Sequence, residues 1–126
     1  MKQILSKAAP TPVGPYSQAI VHGGVAYLSG QVALDPATGK LRGDSIEDQT
    51  EQVLANLREV LRAAGSDFDQ VLRVGVYLTN MQDFPRFNEI YGRVLGAARP
   101  ARSTVQVAAL PLGARIEIDC VAAVAG

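Results

Sequence analysis

The chain has 126 residues, 48% of them hydrophobic, which suits one domain with a substantial core and excludes a disordered segment. Twelve basic residues balance twelve acidic ones, so there is no basic stripe of the kind that tracks a phosphate backbone. A single cysteine excludes an internal disulfide framework and fits a reducing cytoplasm; with one histidine it leaves no recognisable zinc cluster, and only carboxylates to hold a weakly bound ion.

Met1 to Lys7 lacks the long apolar core of a signal peptide, and no later run approaches membrane-spanning length. Ile4-Leu5 predicts a short first strand. The stretch A-A-P-T-P-V-G-P, Ala8 to Pro15, predicts an ordered or semi-rigid loop, because proline removes donors and fixes φ. Tyr16 to Val21, a turn at His22-Gly23-Gly24 and Val25 to Ser29 then read as a hairpin, with His22 an exposed turn residue. Ser29-Gly30-Gln31 ends that strand, and Asp35 to Gly39 is a turn cluster.

Asp44 followed by Glu47 has the spacing of a capping box. The helix it opens carries Val53, Leu54, Leu57, Val60, Leu61 and Ala64 on one stripe, with Gln49, Glu51, Gln52, Arg58 and Arg62 off it, and stops at Gly65. Val71 to Leu78 is the next strand, with Val71, Arg73, Gly75 and Tyr77 alternating against Leu72, Val74, Val76 and Leu78. Asp83 is placed to cap a second helix with Pro85 in its first turn. Its stripe runs Phe84, Phe87, Tyr91, Val94 and Leu95; Asn88 falls on or beside this packed face, where an amide needs a partner.

Arg99 to Val124 reads as two strands joined by a turn at Leu110-Pro111-Leu112-Gly113. Period-2 alternation puts Arg102, Thr104 and Gln106 on one face of the first and Ser103, Val105 and Val107 on the other. On the second, Ile116, Ile118, Cys120, Ala122 and Val124 form an apolar face opposite Glu117 and Asp119. Strands aim charges more rigidly than loop tips do, so Arg102 and Glu117 are candidate site residues; the bland alternative is a pair of solvated sheet-face charges.

The order strand–strand–strand–helix–strand–helix–strand–strand predicts an α+β fold, a mixed sheet with two helices packed on one face, in one domain spanning 1–126. The other face carries Gly75, Tyr77, Val121 and Ala123, too apolar to leave wet over a wide area, so self-association is expected to cover it.

G-P-Y-S-Q-A at Gly14 to Ala19, S-G-Q at Ser29 to Gln31, D-F-P-R-F-N at Asp83 to Asn88 and P-A-R-S-T-V-Q-V-A-A-L-P with R-I-E-I-D after it closely resemble the RidA family of enamine/imine deaminases over nearly the whole chain. The resemblance implies a chorismate-mutase-like fold, a cytosolic homotrimer with pockets between neighbouring chains, no metal or organic cofactor, and hydrolysis of reactive 2-imino or 2-enamino acids such as 2-aminoacrylate. It places the site on Tyr16, Ser29, Gly30, Asn88, Arg102 and Glu117. Thr104 stands where many members have a cysteine, so a nucleophilic cysteine is missing at the matched position, and Cys120, on the apolar face, reads as a core residue.

These residue types suit that chemistry. Under this resemblance Arg102 is expected to hold the imino acid's carboxylate through two parallel charge-assisted bonds, and Glu117 to activate water and return a proton to departing ammonia. Gly30 permits close approach, and Ser29 and Thr104 supply hydroxyl donors. Tyr16 covers the pocket, Asn88 either orients substrate or braces a loop, and Asp119 is expected outside the pocket. The alternative function is a small-carboxylate binding or sensor protein using Arg102 without turnover. A nucleic-acid-directed activity fits the neutral charge poorly, and a chorismate-mutase-type reaction would rest on fold alone.

Overall fold

The structure, a computed structural model, describes residues 1–125. Its strands are β1 (Lys2–Ile4), β2 (Ala19–His22), β3 (Val25–Gln31), β4 (Val71–Leu78), β5 (Ala101–Gln106) and β6 (Ile116–Ala123), and its helices are α1 (Ile46–Ala63) and α2 (Phe84–Leu95). The strands form one mixed sheet in the order β1-β2-β3-β6-β4-β5, parallel only between β4 and β5, which α2 connects. α1 lies across β3 and β6 and beside α2, on the same face of the sheet. The expected α+β architecture is therefore the one found.

Alternation does most of this work. Along β6, Ile116, Ile118, Cys120 and Ala122 are buried while the residues between them are only half-buried, so one face meets the helices and the other carries Glu117 and Asp119. On α1 the stripe of Val53, Leu54, Leu57, Val60 and Leu61 is buried to within 2% of completely, and Phe87 of α2 fills the space between helix and sheet.

Four details add to or correct the sequence expectations: strand partnership, the helix caps, a bulge in β4 and a row of buried amides. First, β5 and β6, read from the sequence only as joined by a turn, do not pair with each other; β4 lies between them. Residues 107–115 are long enough to carry the chain past the end of β4, pinned by Val107 N–H to the Leu78 carbonyl (2.8 Å) and Thr79 N–H to the Arg115 carbonyl (3.1 Å). The N-cap of α1 is Ser45, whose hydroxyl accepts from Asp48 N–H at 3.0 Å, contributing about 1 kcal/mol, so the cap falls one residue after Asp44. Asp83 does precede α2 but makes no side-chain cap bond; its carboxylate lies 3.6 Å from the Arg115 guanidinium.

Third, a bulge at the start of β4 sets Val71 and Arg73 against consecutive β6 residues, Ala122 and Val121. Val71 thereby packs against the core and Leu72 is turned out, 52% exposed, reversing the alternation predicted at that end. Fourth, Gln49 and Gln52 of α1 are buried, together with Asn56. Gln49 accepts from Arg115 N–H (2.8 Å) and donates to the Gly43 carbonyl (3.1 Å), while Asn56 donates to the Val32 and Leu34 carbonyls and accepts from Gln52. This amide row ties down the chain that leaves β3, where no helix or strand satisfies the backbone.

Candidate active site

Two groups of candidate residues form, one on each face of the sheet. On the helix face stands Arg102. In the parallel register Arg102 lies beside Val74 and Thr104 beside Val76, both buried core residues, so β5 turns Arg102 and Thr104 toward α2. The Arg102 guanidinium carbon sits 4.8 Å from the Tyr91 ring centre and 5.5 Å from those of Phe84 and Phe87. Ring faces attract a cation by about 0.5–2 kcal/mol each, less when exposed, without neutralising it. Among the described residues no carboxylate pairs with Arg102, so a cation is oriented and left with its hydrogen-bonding fork available.

Two clefts flank this guanidinium. One, of about 430 Å³, is lined by Asn88, Tyr91, Gly92, Arg99, Pro100 and Arg102. The other, of about 530 Å³, is more apolar and is lined by Met81, Phe84, Pro85, Arg102 and Thr104. Asn88 is exposed at the rim of the first cleft, so it does not belong to the packed stripe of α2. The hydroxyls of Thr104 and Tyr91 are buried without a hydrogen-bond partner among the described residues. Burial raises the Tyr91 phenol above its ordinary value, offset in part by the charge of Arg102.

On the open face stands Glu117, and the sheet positions it through a second bulge. Leu28 of β3 faces Cys120, but Gln31 faces Ile118, so three steps of β3 span two of β6. The extra residue falls at Ser29-Gly30, and the disturbed pleat keeps Gly30 against Glu117. A Cβ on Gly30 would lie 2.5 Å from Glu117 Oε2 and 2.9 Å from its carboxyl carbon. The bare glycine leaves that space to the carboxyl group, which any side chain here would push aside; Gly30 is not in the left-handed region. Glu117 is half-buried, and burial, with the Asp119 carboxylate second, holds its carboxyl above the usual range.

The Ser29 hydroxyl donates to the Ser17 carbonyl at 2.6 Å, so its proton is engaged in fixing the loop before β2. The same loop is anchored by Gln18, 1% exposed, whose amide accepts from Ser6 N–H (2.6 Å) and donates to the Ser6 and Pro10 carbonyls. Ser29 N–H donates to the Gln18 carbonyl at 2.9 Å, so loop and bulge form one unit that presents Tyr16, half-exposed, at the surface. The chain thus brings Ser29, Gly30 and Glu117 together at one bulge, with Tyr16 on the loop tied to it, and sets Asn88 and Thr104 in the clefts that flank the Arg102 guanidinium.

Sequence reasoning assigned the aromatic seat of Arg102 to plain core packing. The signal was the spacing of Phe84, Phe87 and Tyr91, three rings on the helix that leads into the arginine-bearing strand. Gln18 was missed because one buried amide in a loop leaves no periodic trace. Cys120 is buried in the core, and burial, with Asp119 second, pushes its thiol up to about 12, so it stays protonated. Among the described residues no group of three or more His, Cys, Asp or Glu side chains is placed to hold a metal, and no helix is long and apolar enough to cross a membrane.

Residues 6–124 match the family described as Endoribonuclease L-PSP. The chain is 50% identical over 122 residues to Reactive Intermediate Deaminase A, chloroplastic, of Arabidopsis thaliana, covering 96% of this chain and 65% of that longer protein. It is 46% identical to the 2-iminobutanoate/2-iminopropanoate deaminase of Mus musculus, covering 96% of this chain and 90% of the mouse protein. The crystal structure of RidA from the Antarctic bacterium Psychrobacter superimposes with a TM-score of 0.95 at 40% identity, over 98% of this chain and 100% of that one. With the family match over residues 6–124, the identity to these relatives and the shared overall shape, the chain belongs to the endoribonuclease L-PSP family, the family of reactive intermediate deaminase A.

Proposed function

We propose that this protein is a cofactor-independent deaminase of the cytoplasm that hydrolyses 2-imino and 2-enamino acids to 2-oxo acids and ammonia. The observation that carries it is the Arg102 guanidinium, seated on three rings, unpaired among the described residues and open to two clefts. Such a cation suits a small carboxylate, which it grips with two parallel hydrogen bonds. Relatives named as imine deaminases support the reaction type.

The chemistry follows from the residues. Arg102 fixes the carboxylate of the imino acid, which sets the position of the adjacent C=N carbon. Glu117, ionised, takes a proton from water as the water oxygen bonds to the carbon of the protonated imine and the C=N π pair moves to nitrogen, leaving a neutral amine. Glu117, now neutral, gives that proton to the amine nitrogen; the C–N bond breaks, and the hydroxyl proton passes through the Glu117 carboxylate to the departing ammonia, giving the 2-oxo acid and ammonium. A carboxyl held above its usual range by burial changes state closer to neutral pH, as acid–base duty requires.

In one chain Arg102 and Glu117 lie on opposite faces of the sheet, so one pocket containing both takes two copies. Arg102 and Thr104 belong to β5, an edge strand paired only with β4, and the open face exposes Tyr27 and Val105. We therefore assign a homotrimer with three inter-subunit pockets, the closed assembly expected of the family. Sedimentation at micromolar concentration is expected to give three chains; a fully active monomer would overturn the assignment.

A Gly30→Ala variant tests the carboxyl position. The added methyl displaces the Glu117 carboxyl by an atom's width, and turnover is expected to fall about 10²-fold with little change in circular dichroism. Unchanged turnover would detach Gly30 from the reaction. The second reading, a carboxylate-binding protein without turnover, is favoured by one observation: the Arg102 clefts exist in a single chain without Glu117. An assay on imines generated in situ from several amino acids, without added metal, separates the two, since a binder leaves the spontaneous rate of hydrolysis unchanged.

A further inference from the structure

On the open face, Tyr77 is set opposite Glu117 and Gly75 opposite Asp119 in the β4–β6 register. The Tyr77 hydroxyl does not turn to its own partner. It donates diagonally to Asp119 Oδ2 at 3.0 Å. A Cβ on Gly75 would lie 2.5 Å from Asp119 Oδ1 and 3.0 Å from the Tyr77 hydroxyl, so the carboxylate lies folded over a glycine kept bare for it. Asp119 and Glu117 are two residues apart on one strand and share a face, and the phenol of Tyr77 fixes which way the Asp119 carboxylate leans. A charge with one hydrogen-bond donor and a cleared seat, beside a carboxyl assigned to proton transfer, is more than a solvated surface aspartate.

We infer that Asp119 is a positioning residue: held by Tyr77 over Gly75, it keeps a negative charge beside Glu117 and sets the pH at which Glu117 passes from proton donor to proton acceptor. The inference rests on the proposed acid–base role of Glu117. Within one chain Asp119 is the charge that acts on Glu117; in the proposed assembly Arg102 of the neighbouring copy adds a cation that favours the ionised carboxyl, so Asp119 opposes it. β3 contributes Ser29 and Gly30, which do not titrate in this range. β4 contributes Tyr77 and, farther along, Arg73, whose guanidinium is engaged with the Ser103 hydroxyl at 3.0 Å. A like charge disfavours ionisation of its neighbour, and the raised carboxyl of Glu117, caused first by burial and then by Asp119, agrees in sign. The bond to Asp119, with burial next, also raises the Tyr77 phenol, which keeps it a donor across the working pH range.

The test is a carbon-13 NMR titration of the glutamate carboxyls in the assembled protein, with Glu117→Gln assigning the signal. Asp119→Asn is expected to lower the Glu117 midpoint by about 0.5–1 pH unit, and Asp119→Glu, which keeps the charge, to restore most of it. Asp119→Ser removes the same charge should the amide variant fail to fold. Turnover of Glu117→Gln is measured alongside. A midpoint unmoved in the charge-removing variants, with turnover lost in Glu117→Gln, would overturn the role of Asp119 and leave the deaminase assignment standing. A lowered midpoint with Glu117→Gln fully active would uphold the charge effect of Asp119 and overturn the acid–base role of Glu117 instead.

Discussion

Arg102→Ala is expected to weaken binding of a 2-oxo acid such as pyruvate and to depress imine turnover together, each by about 30- to several-thousand-fold. The basis is the cost of truncating one partner of a desolvated charge pair, about 2–5 kcal/mol. Here the guanidinium seated on the rings is the group open to both clefts, and its removal leaves three ring faces that cannot hold a carboxylate. Arg102→Lys is expected to recover part of the loss. An ammonium still sits over the rings and still attracts a carboxylate, but it cannot make the planar two-pronged contact that fixes where the C=N carbon lies. Calorimetric titration of pyruvate into the variants, with assays on imine made in situ, reads both effects. Full activity in Arg102→Ala would remove the whole site from consideration.

The faces of the elements were legible in the sequence because burial alternates with the pleat. Ile116, Ile118 and Cys120 against Glu117 and Asp119 show the period directly, and the helix stripes show theirs. Strand partnership was not legible. Alternation reports which side of a strand is wet and is silent on what lies beside it, so two strands joined by a Pro/Gly turn could be read without showing that β4 intervenes. The opposite facing of Arg102 and Glu117 becomes visible only with that order known, because it depends on Val74 aligning with Arg102 and Tyr77 with Glu117.

The candidate site was legible as a set of residues and not as a geometry. Gly30 beside Ser29 reads as the end of a strand, and nothing local reveals a bulge whose register depends on β6. Ser29 and Thr104 were both expected to offer hydroxyl donors. The Ser29 proton is taken by the Ser17 carbonyl, whereas the Thr104 hydroxyl is buried with no partner, so two equivalent expectations separate once three-dimensional neighbours are known. The glutamines of α1 show the same limit: polar residues off an apolar stripe look solvated, yet Gln49 and Gln52 are buried because irregular backbone beside them needs partners.

Glu117→Gln is expected to lower kcat by about 10²–10⁴ while leaving the binding of pyruvate nearly unchanged. The amide keeps the shape that Gly30 accommodates but has no basic oxygen to take a proton from water. In the wild-type protein activity is expected to fall as pH drops through the raised midpoint of Glu117, and that acid limb is expected to vanish in the variant. The stability effect has the opposite sense. Burial favours the neutral carboxyl in the folded chain, so the contribution of Glu117 to stability is present below its unfolded value and is lost as pH rises through the folded one. Replacing it by an uncharged amide is therefore expected to leave the protein no less stable to urea at neutral pH, and the difference to shrink as the solution is acidified. A residue whose loss costs turnover but no stability is kept for chemistry and not for the fold. Full activity in Glu117→Gln would remove the acid–base assignment, and a marked loss of stability without a loss of turnover would make Glu117 a structural carboxylate.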